Sequence, residues 1–310
     1  MLFGTIRYDI ILSVKICTPA TTANIGPGFD LYGLSYKYYD EFIITPSDIF
    51  DMKSSEAEQE KYNNEHNLFF ATFKKVASLI GLSENKKCKV NLSNHYPFSR
   101  GLGSSASIIV AGAYAANNLY KNEANKELTK NEIFKIATEI EGHPDNVAPC
   151  IFGGVNVSMI ENENIYRKKF LVNENIHATL FIPPYETSTK EVRAILKKEV
   201  SLKDAIQNVG HAVFLIDALT SGDIEMLKFA IEDNFHVQYR KNLIKDFDDM
   251  KYVCENENKN TAFTISGSGS TCVCFSDDRK LGDKVKNKLQ NKEIKILDVD
   301  FDNEGVICNL

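Results

Sequence analysis

The chain has 310 residues, of which 43% are hydrophobic and 25% are charged, a composition typical of globular proteins. Its formal net charge of −6 argues against a protein whose main ligand is a nucleic-acid backbone, but leaves room for a small anion held locally. The length predicts two domains. The seven cysteines include no C-x-x-C pair and are predicted to be small core residues in a reducing compartment. No N-terminal stretch has the pattern of a signal or membrane span, so the sequence predicts a cytoplasmic protein without membrane contact.

The apolar patterns predict strands and helices that alternate along the chain. Strands are predicted over 11–17, 37–45, 87–92, 155–160, 178–182, 262–265, 271–275 and 294–299. Helices are predicted over 65–80, 104–120 and 131–141, and near positions 189, 202, 225 and 243 onward. A loop rich in Pro, Gly and Thr is predicted over 18–28. The order predicts an α+β chain whose best candidate boundary is the polar stretch 161–169.

The strongest local signal is the glycine loop Arg100–Ser105, which leads into an apolar helix. Two glycines let the backbone approach a ligand closely, and the N–H groups at a helix start favour an anion. The pattern therefore predicts phosphate binding by Gly101, Gly103, Ser104 and Ser105. An ordinary serine N-cap after a glycine loop is the alternative.

Two better-known phosphate motifs do not account for this loop. A Walker loop requires Gly-Lys-Ser/Thr, and none of the 17 glycines is followed by lysine. The dinucleotide fingerprint G-x-G-x-x-A matches Gly101, Gly103 and Ala106, but it should follow directly on a strand, and here a long loop with Pro97 intervenes. A dinucleotide-dependent oxidoreductase is therefore disfavoured.

Two further loops combine glycine with polar side chains. In the segment from Asn24 to Asp30, a Gly-Pro-Gly turn fixes two polar groups that suit a small polar substrate. Alternatively, these side chains serve only their own turn. The segment 266–270 alternates serine and glycine between two predicted strands, and is either a hairpin turn or a close approach to a ligand.

The segment 139–149 places Glu139 and Glu141 at a helix end, followed by His143, Asp145 and Asn146 in a loop with two prolines. Neighbouring acids repel unless a cation relieves them, so Mg²⁺ is the expected ligand. A charged surface loop is the alternative. The sequence has no H-E-x-x-H motif, so a histidine-held metal is not expected.

Taken together in their order along the chain, these four segments resemble the GHMP kinase superfamily. The segments 23–30 and 143–149 resemble its homoserine kinase family. The resemblance extends over about residues 13–276. Three departures are visible. The first dozen residues extend beyond the point where the resemblance starts. Ser268 and Ser270 stand where the family more often has alanine and proline, and Pro97-Phe98-Ser99-Arg100 stands where other branches have Pro-x-Gly-x.

The resemblance implies a two-layer, two-domain α+β fold. The N-terminal ATP-binding domain, over 1–165, would be of the ribosomal protein S5 domain 2-like type, and the C-terminal domain, over 166–310, would be ferredoxin-like. ATP and Mg²⁺ would be used and L-homoserine would be the substrate, with a homodimer left open. The residues implied for ATP are Asn67 (adenine), Pro97, Arg100, Gly101, Leu102, Gly103, Ser104 and Ser105.

The resemblance also implies roles in catalysis and substrate binding. Ser105 and Glu139 would hold Mg²⁺, with Glu141 as the fallback ligand. The residues implied for homoserine are Asn24, Asp30, His143, Asn146, Arg193, Arg240 and Gly267. Asp30 suits the amino group and the two arginines suit the carboxylate, although either arginine could lie on a solvated helix face. Asn146 would orient the hydroxyl without a dedicated base, and Asp145 is the carboxylate that could act as one.

The implied reaction transfers the γ-phosphoryl of ATP to homoserine, giving O-phospho-L-homoserine for threonine biosynthesis. Two alternatives stay open at this point. One is another kinase of the superfamily, acting on mevalonate, a diphosphocytidyl-methylerythritol or a sugar. The other is a non-catalytic ligand sensor, which the presence of Ser105 and Glu139 disfavours.

Overall fold

The computed structural model describes residues 13–55 and 67–309, which form two sheets with helices packed on them. The strands are β1 Val14–Ala23, β2 Tyr32–Ser47, β3 Asp51–Ser54, β4 Lys87–Ser93, β5 Val155–Glu161, β6 Asn164–Phe170, β7 His177–Ile182, β8 Thr261–Ile265, β9 Cys272–Ser276, β10 Lys295–Val299 and β11 Ile307–Asn309. The helices are α1 Leu68–Leu79, α2 Ser104–Leu119, α3 Lys130–Glu141, α4 Val147–Phe152, α5 Thr189–Ala194, α6 Leu202–Ser221, α7 Ile224–Ala230, α8 Val237–Arg240, α9 Phe247–Glu257 and α10 Leu281–Val285.

The first sheet has the order β11-β1-β2-β4-β3, and β2 also pairs with β5, which pairs with β6. Helix α2 lies against β1 and β2, and α1 packs beside α2. In α1 the buried residues Phe69, Phe73 and Val76 recur at helical spacing, so one face of the helix enters the core. The small residues of α2, such as Ala111 and Ala115, let most of it lie buried between the sheet and its neighbouring helices.

The second sheet is antiparallel with the order β10-β7-β9-β8. Numbered along the chain, its strands lie in the order 4-1-3-2, which is the ferredoxin-like arrangement. One face is covered by α6 and α7 through residues such as Leu215 and Leu227. The other face is covered by α9 and α10 through Met250 and Leu281. The predicted two-domain α+β fold is therefore confirmed.

The two sheets share one apolar cluster, and the end of the chain belongs to the first sheet. Leu34 and Tyr36 of β2 pack in the same cluster as Leu180 of β7. After β10 the chain forms a bridge between Phe301 and Tyr36, and β11 then pairs with β1. The expected boundary between 165 and 166 falls inside β6, which belongs to the first sheet. We therefore propose a boundary over 171–176, with β11 as a late addition to the N-terminal unit.

Three predicted elements need correction. The strand predicted over 11–17 begins in residues outside those described. Because β1 continues to Ala23, the loop predicted over 18–28 is wrong for residues 18–23. A shift of register between Pro19 and Thr21 lets the strand accommodate its proline. The polar stretch 161–169 is a hairpin of β5 and β6 rather than a linker.

The prediction that the cysteines are core residues is confirmed for six of the seven. All seven cysteines are free, and six of them are buried, with Cys308 half-buried. Between residues 13 and 309, apart from the stretch 56–66, no helix combines the length and the apolar character needed to cross a bilayer.

Candidate active site

The loops that the sequence singled out meet at one cleft of about 610 Å³. It is lined by the glycine loop before α2, the turn after β1, the loop between α3 and α4, the segment around α5, and the hairpin between β8 and β9. Twelve of the predicted site residues line it: Asn24, Gly101, Gly103, Ser104, Ser105, the fallback ligand Glu141, His143, Asp145, Asn146, Arg193, Arg240 and Gly267. Residues far apart in the sequence are therefore brought to one place.

The start of α2 is built to receive an anion. Its N-cap Gly103 is left-handed, with φ of 72°, and gives the helix no side-chain cap. The first turn contains no acidic residue, so the N–H groups at this end keep their positive potential. A Cβ on Gly103 would lie 1.8 Å from Thr21 Oγ1, and one on Gly101 would lie 2.1 Å from the Ser266 carbonyl oxygen. Both glycines are needed because the loop is packed between β1 and the 266–270 hairpin.

Ser105 and Glu141 form a pair of oxygen donors beside this helix start. The Ser105 hydroxyl donates to Glu141 Oε2 at 2.6 Å, and both residues line the cleft. Burial raises the pKa of the Glu141 carboxyl, and the hydrogen bond from Ser105 partly opposes that shift. A half-buried carboxylate next to a hydroxyl fits Mg²⁺, which prefers oxygen ligands. The described residues contain no group of three or more His, Cys, Asp and Glu suited to a metal, so phosphate and water oxygens would complete the coordination.

Glu139, the ligand expected first, is not part of this pair. Its carboxylate accepts a hydrogen bond from Lys75 Nζ at 3.1 Å on the outer side of α3, and its side chain is half-exposed. It lines a separate surface depression with Thr138 and Gly142. The structure therefore does not bring Glu139 to Ser105, and the residue in that place is the fallback ligand Glu141.

Asp145 and Asn146 are held rigidly in the loop between α3 and α4. Thr21 Oγ1 donates to Asn146 Oδ1 at 2.8 Å, and the Asn146 N–H donates to Asp145 Oδ1 at 2.9 Å. Burial raises the pKa of Asp145, while His143, whose Nδ1 lies 3.7 Å from Asp145 Oδ1, acts in the opposite direction. Because β1 fixes the amide oxygen of Asn146, the amide has a defined orientation at the cleft.

Asp30 and Arg193 already bind each other. Arg193 donates from Nη1 to Asp30 Oδ2 at 3.1 Å and from Nη2 to Asp30 Oδ1 at 2.9 Å. Arg193 lines the cleft, whereas Asp30 is not part of its lining. Asn24 serves its own turn by accepting from the Asp30 N–H at 2.7 Å, yet it also lines the cleft. Asn24 therefore both stabilises its own turn and is available to a ligand in the cleft.

Arg240 is a buried cation with unused donor capacity. Its Nη1 donates to the Gly267 carbonyl at 3.1 Å, and its guanidinium lies 4.8 Å from the centre of the Phe29 ring. Its Nε is buried and has no hydrogen-bond partner among the described residues. Burial lowers the pKa of Arg240 to about 10, so the side chain stays charged at neutral pH. A buried charge of this kind calls for an anionic partner.

Asn67, the expected adenine contact, does not line the cleft. Its side chain caps α1, with Oδ1 accepting from the N–H groups of Phe69 at 2.8 Å and Phe70 at 3.2 Å. The side chain is buried in this role. The structure therefore assigns Asn67 a capping function.

The remaining predicted ATP residues support the glycine loop from behind. Arg100 forms an ion pair with Glu186 at 2.9 Å and donates to the Pro184 carbonyl at 3.0 Å. Leu102 is buried, and its carbonyl accepts a hydrogen bond from the backbone of β1. Pro97 is half-buried and, like Arg100 and Leu102, lies outside the cleft lining.

Several residues that line the cleft were not predicted. They come from the glycine loop, the segment around α5 and the β8–β9 hairpin: Ser99, Glu186, Thr187, Ser188, Glu191 and Ser268. Thr187 Oγ1 donates to the Ser268 carbonyl at 3.0 Å and so joins two of these segments. The polar run Thr187-Ser188-Thr189 after two prolines was the one sequence signal for this wall of the cleft.

Comparison with known proteins identifies the family. Models of the GHMP kinases N terminal domain and of the GHMP kinases C terminal domain match residues 67–154 and 215–295. The homoserine kinase of Clostridium botulinum (strain Okra / Type B1) is 36% identical over 300 residues, covering 96% of this chain and 98% of that protein. The chain belongs to the homoserine kinase family of GHMP kinases.

Two further relatives of the homoserine kinase family agree. The homoserine kinase of Clostridium novyi (strain NT) is 34% identical and covers 96% of this chain and 99% of that protein. A crystal structure of homoserine kinase from Cytophaga hutchinsonii has a TM-score of 0.85 at 26% identity and covers the whole of both chains. Members of this family are ATP-dependent kinases that act on a hydroxyl group, and this chain is one of them.

In this member of the homoserine kinase family, His236 anchors the turn that carries Asn24 and Phe29. The His236 ring is fully buried, its centre lies 5.0 Å from the centre of the Phe29 ring with the two planes tilted by 34°, and its Nε2–H donates to the Gly26 carbonyl at 2.8 Å. Burial lowers the pKa of His236 to about 4, and Arg240 acts in the same direction, while Asp233 opposes the shift. The ring is therefore neutral when the protein is folded at neutral pH.

This buried histidine should make the protein sensitive to mild acid. Below pH 6.5 the unfolded chain binds a proton at His236 that the folded chain binds only near pH 4, so stability falls as the pH drops through this window. The free energy of unfolding is lower by about 3 kcal/mol once the pH has fallen to about 4. Glu141 and Asp145, whose pKa values are raised, contribute with the opposite sign.

The test is the free energy of unfolding in urea between pH 7 and pH 4.5, measured by circular dichroism for the wild type and for His236→Gln. Glutamine can still donate to the Gly26 carbonyl but does not titrate, so the acid dependence should become shallower. His95→Gln, at an exposed histidine, is the control and should keep the wild-type slope. An unchanged slope in His236→Gln would contradict this prediction.

Proposed function

We propose that this chain transfers the γ-phosphoryl group of ATP to the hydroxyl group of L-homoserine, giving O-phospho-L-homoserine and ADP. One observation supports this most strongly: a single cleft joins a helix start suited to phosphate with two arginines suited to a carboxylate. The two Clostridium homoserine kinases named above match this chain over nearly their whole length. The product would serve threonine biosynthesis.

The phosphate half of the cleft would hold ATP. The N–H groups at the start of α2 and the backbone of Gly101 and Gly103 would attract the phosphate groups. No acidic residue in the first helical turn opposes this attraction. Ser105 and Glu141 would hold Mg²⁺. When bound, this ion would neutralise charge on the phosphate oxygens.

The other half of the cleft would hold the amino acid. The buried Nε of Arg240 has no hydrogen-bond partner among the described residues, and the guanidinium of Arg193 is bound to Asp30. A substrate carboxylate would add an anion to this arginine pair, and the Asp30 carboxylate would then be available to the substrate ammonium group. Asn24 and His143 also line the cleft and would complete the pocket.

The chemistry requires positioning more than a strong base. The hydroxyl oxygen of homoserine forms the new bond to the γ-phosphorus as the bond to the bridging oxygen of ADP breaks, and the hydroxyl proton passes to a phosphoryl oxygen. Such transfers are loose, so orientation and charge neutralisation provide most of the rate. Asn146 is fixed by Thr21 and would orient the hydroxyl group. Asp145 would hold the backbone of Asn146 rather than accept the proton.

An acceptor panel tests the proposal. ADP release with Mg-ATP is measured for L-homoserine, D-homoserine, L-threonine, mevalonate, a diphosphocytidyl-methylerythritol and a hexose. We expect kcat/KM to be highest for L-homoserine, with phosphorus NMR showing a phosphomonoester product. Faster turnover of mevalonate or a sugar than of L-homoserine would reject L-homoserine as the substrate. Absence of turnover with every acceptor, together with intact ATP binding, would favour a sensor.

Arg240→Lys should separate carboxylate binding from catalysis. Lysine keeps the charge but loses the planar fork, so we expect KM for homoserine to rise about 10- to 100-fold, equivalent to losing one charged hydrogen bond. KM for ATP should stay within about threefold, because the ATP half of the cleft is untouched. Lys241→Met, which removes the neighbouring exposed charge, is the control and should leave both KM values unchanged. An unchanged homoserine KM in Arg240→Lys would remove Arg240 from the substrate site.

A further inference from the structure

The two arginines assigned to the substrate carboxylate share one aromatic neighbour, Phe29. The guanidinium carbon of Arg240 lies 4.8 Å from the centre of the Phe29 ring, and that of Arg193 lies 5.8 Å from it. Both distances are within about 6 Å, the range of a cation–π contact. The arginines belong to α8 and α5, whereas Phe29 lies in the turn between β1 and β2. One ring of this turn therefore contacts two cations that come from the second half of the chain.

The Phe29 ring is held in place by two buried side chains. His236 lies against the ring, and its Nε2–H donates to the Gly26 carbonyl at 2.8 Å. Asn208 of α6 donates from its side-chain amide to the Pro27 carbonyl at 3.0 Å. The backbone just before Phe29 is thus fixed at two neighbouring carbonyl groups. Because the turn and the ring are both held, the ring offers a fixed surface to the guanidinium groups.

A ring and a carboxylate make different demands on a guanidinium group. The ring attracts the cation with its electron-rich face and takes up no N–H donor, whereas a carboxylate accepts the N–H groups of the planar fork. Phe29 also carries no charge, so it does not neutralise the positive potential of the site. The ring therefore leaves Arg193 and Arg240 able to bind an anion.

Asp30 and Phe29 together keep two like charges close to each other. Arg193 adds to the lowering of the Arg240 pKa that burial causes, and Asp30 opposes it, so the groups act on one another. Asp30 binds Arg193 through two hydrogen bonds, but it would turn to the ammonium group of the substrate when homoserine binds. Phe29 is not part of the cleft lining, so the substrate would not displace it. The ring is then a contact that both arginines keep.

We propose that Phe29 is a positioning residue for substrate recognition, whose ring holds Arg193 and Arg240 at the separation that a free carboxylate requires. This inference rests on the proposed function, because it takes the two arginines as the carboxylate site for L-homoserine. Phe29 acts through the arginines and does not touch the substrate. Its ring thereby favours acceptors that carry a free carboxylate beside the hydroxyl group to be phosphorylated.

Phe29→Leu removes the ring and keeps an apolar side chain. We expect KM for L-homoserine to rise about 10- to 100-fold, because two cation–π contacts are lost. Both kcat and KM for ATP should change less than about threefold, since neither arginine belongs to the phosphate half of the cleft. Phe29→Tyr keeps the ring and should retain the wild-type KM within about threefold. An unchanged homoserine KM in Phe29→Leu would overturn the proposal.

Fluorination of the ring separates its charge distribution from its shape. Mono-, di- and trifluorophenylalanine in place of Phe29 withdraw electrons from the ring face in steps, with little change in size. KM for L-homoserine should rise with each added fluorine, reaching about fivefold for the trifluoro ring. The same series at Phe152, whose ring has Arg167 at 3.6 Å outside the cleft, is the control and should leave KM unchanged. A constant KM across the Phe29 series would overturn the proposal, even where Phe29→Leu fails to fold.

A double-mutant cycle tests whether Phe29 acts through Arg240. In an Arg240→Gln background one of the two cations is absent, so Phe29→Leu should raise the homoserine KM by only about threefold. Equal effects of Phe29→Leu in both backgrounds would show that the ring acts independently of Arg240, and would overturn the proposal.

The wild-type enzyme separates a failure of this inference from a failure of the proposed function. Absence of turnover with L-homoserine in the wild type would reject the proposed function itself. Turnover of L-homoserine by the wild type, with a KM that responds neither to Phe29→Leu nor to fluorination, would reject only the positioning role of Phe29.

Discussion

Glu141→Gln is expected to lower kcat/KM for ATP by about a hundredfold or more and to raise the Mg²⁺ concentration needed for half-maximal rate. Glutamine keeps the size of the side chain and can still accept the hydrogen bond from Ser105, so the local structure should persist. It removes the negative charge that would hold Mg²⁺ beside the phosphates, where neutralisation of oxygen charges is worth several kcal/mol. Initial rates measured across an Mg²⁺ series at saturating homoserine give both quantities.

Glu139→Gln is the matched control for this experiment. Glu139 lies two residues away on the same helix, but it pairs with Lys75 outside the cleft, so its loss should change kcat/KM less than threefold. Isothermal titration of Mg-ATP provides a readout without turnover: Glu141→Gln should weaken binding and Glu139→Gln should not. A large loss of kcat/KM in Glu139→Gln with a mild effect in Glu141→Gln would contradict the role of Glu141 and would favour Glu139 as the Mg²⁺ ligand.

Asn146→Ala is expected to lower kcat by roughly 10²- to 10³-fold, with a smaller change in KM. Its amide is held by Thr21, and a small misplacement of the reacting hydroxyl is enough to cost about a hundredfold. Thr21→Val tests the same link from one step away, since it removes the donor that fixes the amide. We expect Thr21→Val to lower kcat by about tenfold. Steady-state kinetics with homoserine as the varied substrate measures both variants.

Asp145→Asn should retain most of kcat if the transfer proceeds without a dedicated base. Asparagine can still accept the hydrogen bond from the Asn146 N–H, which is the contact that Asp145 makes in the loop. A general base would contribute about 10²- to 10⁴-fold, and its removal would also abolish the acidic limb of the pH profile of kcat. A loss of that size in Asp145→Asn, with mild effects in Asn146→Ala, would reverse the roles proposed for these residues.

Much of the site could be predicted because its parts are local. A glycine loop before an apolar helix, or a proline-bounded loop with His, Asp and Asn, carries its chemistry in a few consecutive residues. The cleft assembles these parts, with Gly101, Ser105, Asn146 and Arg240 all in its lining. The buried cysteines and the α+β architecture follow in the same way from composition and apolar spacing.

The choice between Glu139 and Glu141 could not be made locally. Two residues on a helix differ by about 200° in direction, so one carboxylate faces the cleft when the other faces away. Which of them faces Ser105 depends on how α3 packs against α1, where Lys75 receives Glu139. That packing is a long-range property, and the local pattern of two acids at a helix end fits both assignments.

Some strands escaped prediction for a related reason. Strand β6 is polar and half-exposed, and β11 has three residues, so neither carries an apolar alternation. Their existence depends on partners, β5 in one case and β1 in the other. The prediction of a loop after Cys17 failed because proline normally interrupts a strand, and here a shift of register accommodates it.

The return of β11 to β1 bears on how this chain matures on the ribosome. Lys15 pairs with Asn309, so the edge of the first sheet can close only after residues 307–309 have been synthesised. Until then the nascent chain carries β1 as an open edge, which is a template for pairing with other chains. A polypeptide that lacks residues 307–309 would therefore leave β1 open, and the pairing of β11 with β1 protects the N-terminal unit from such contacts.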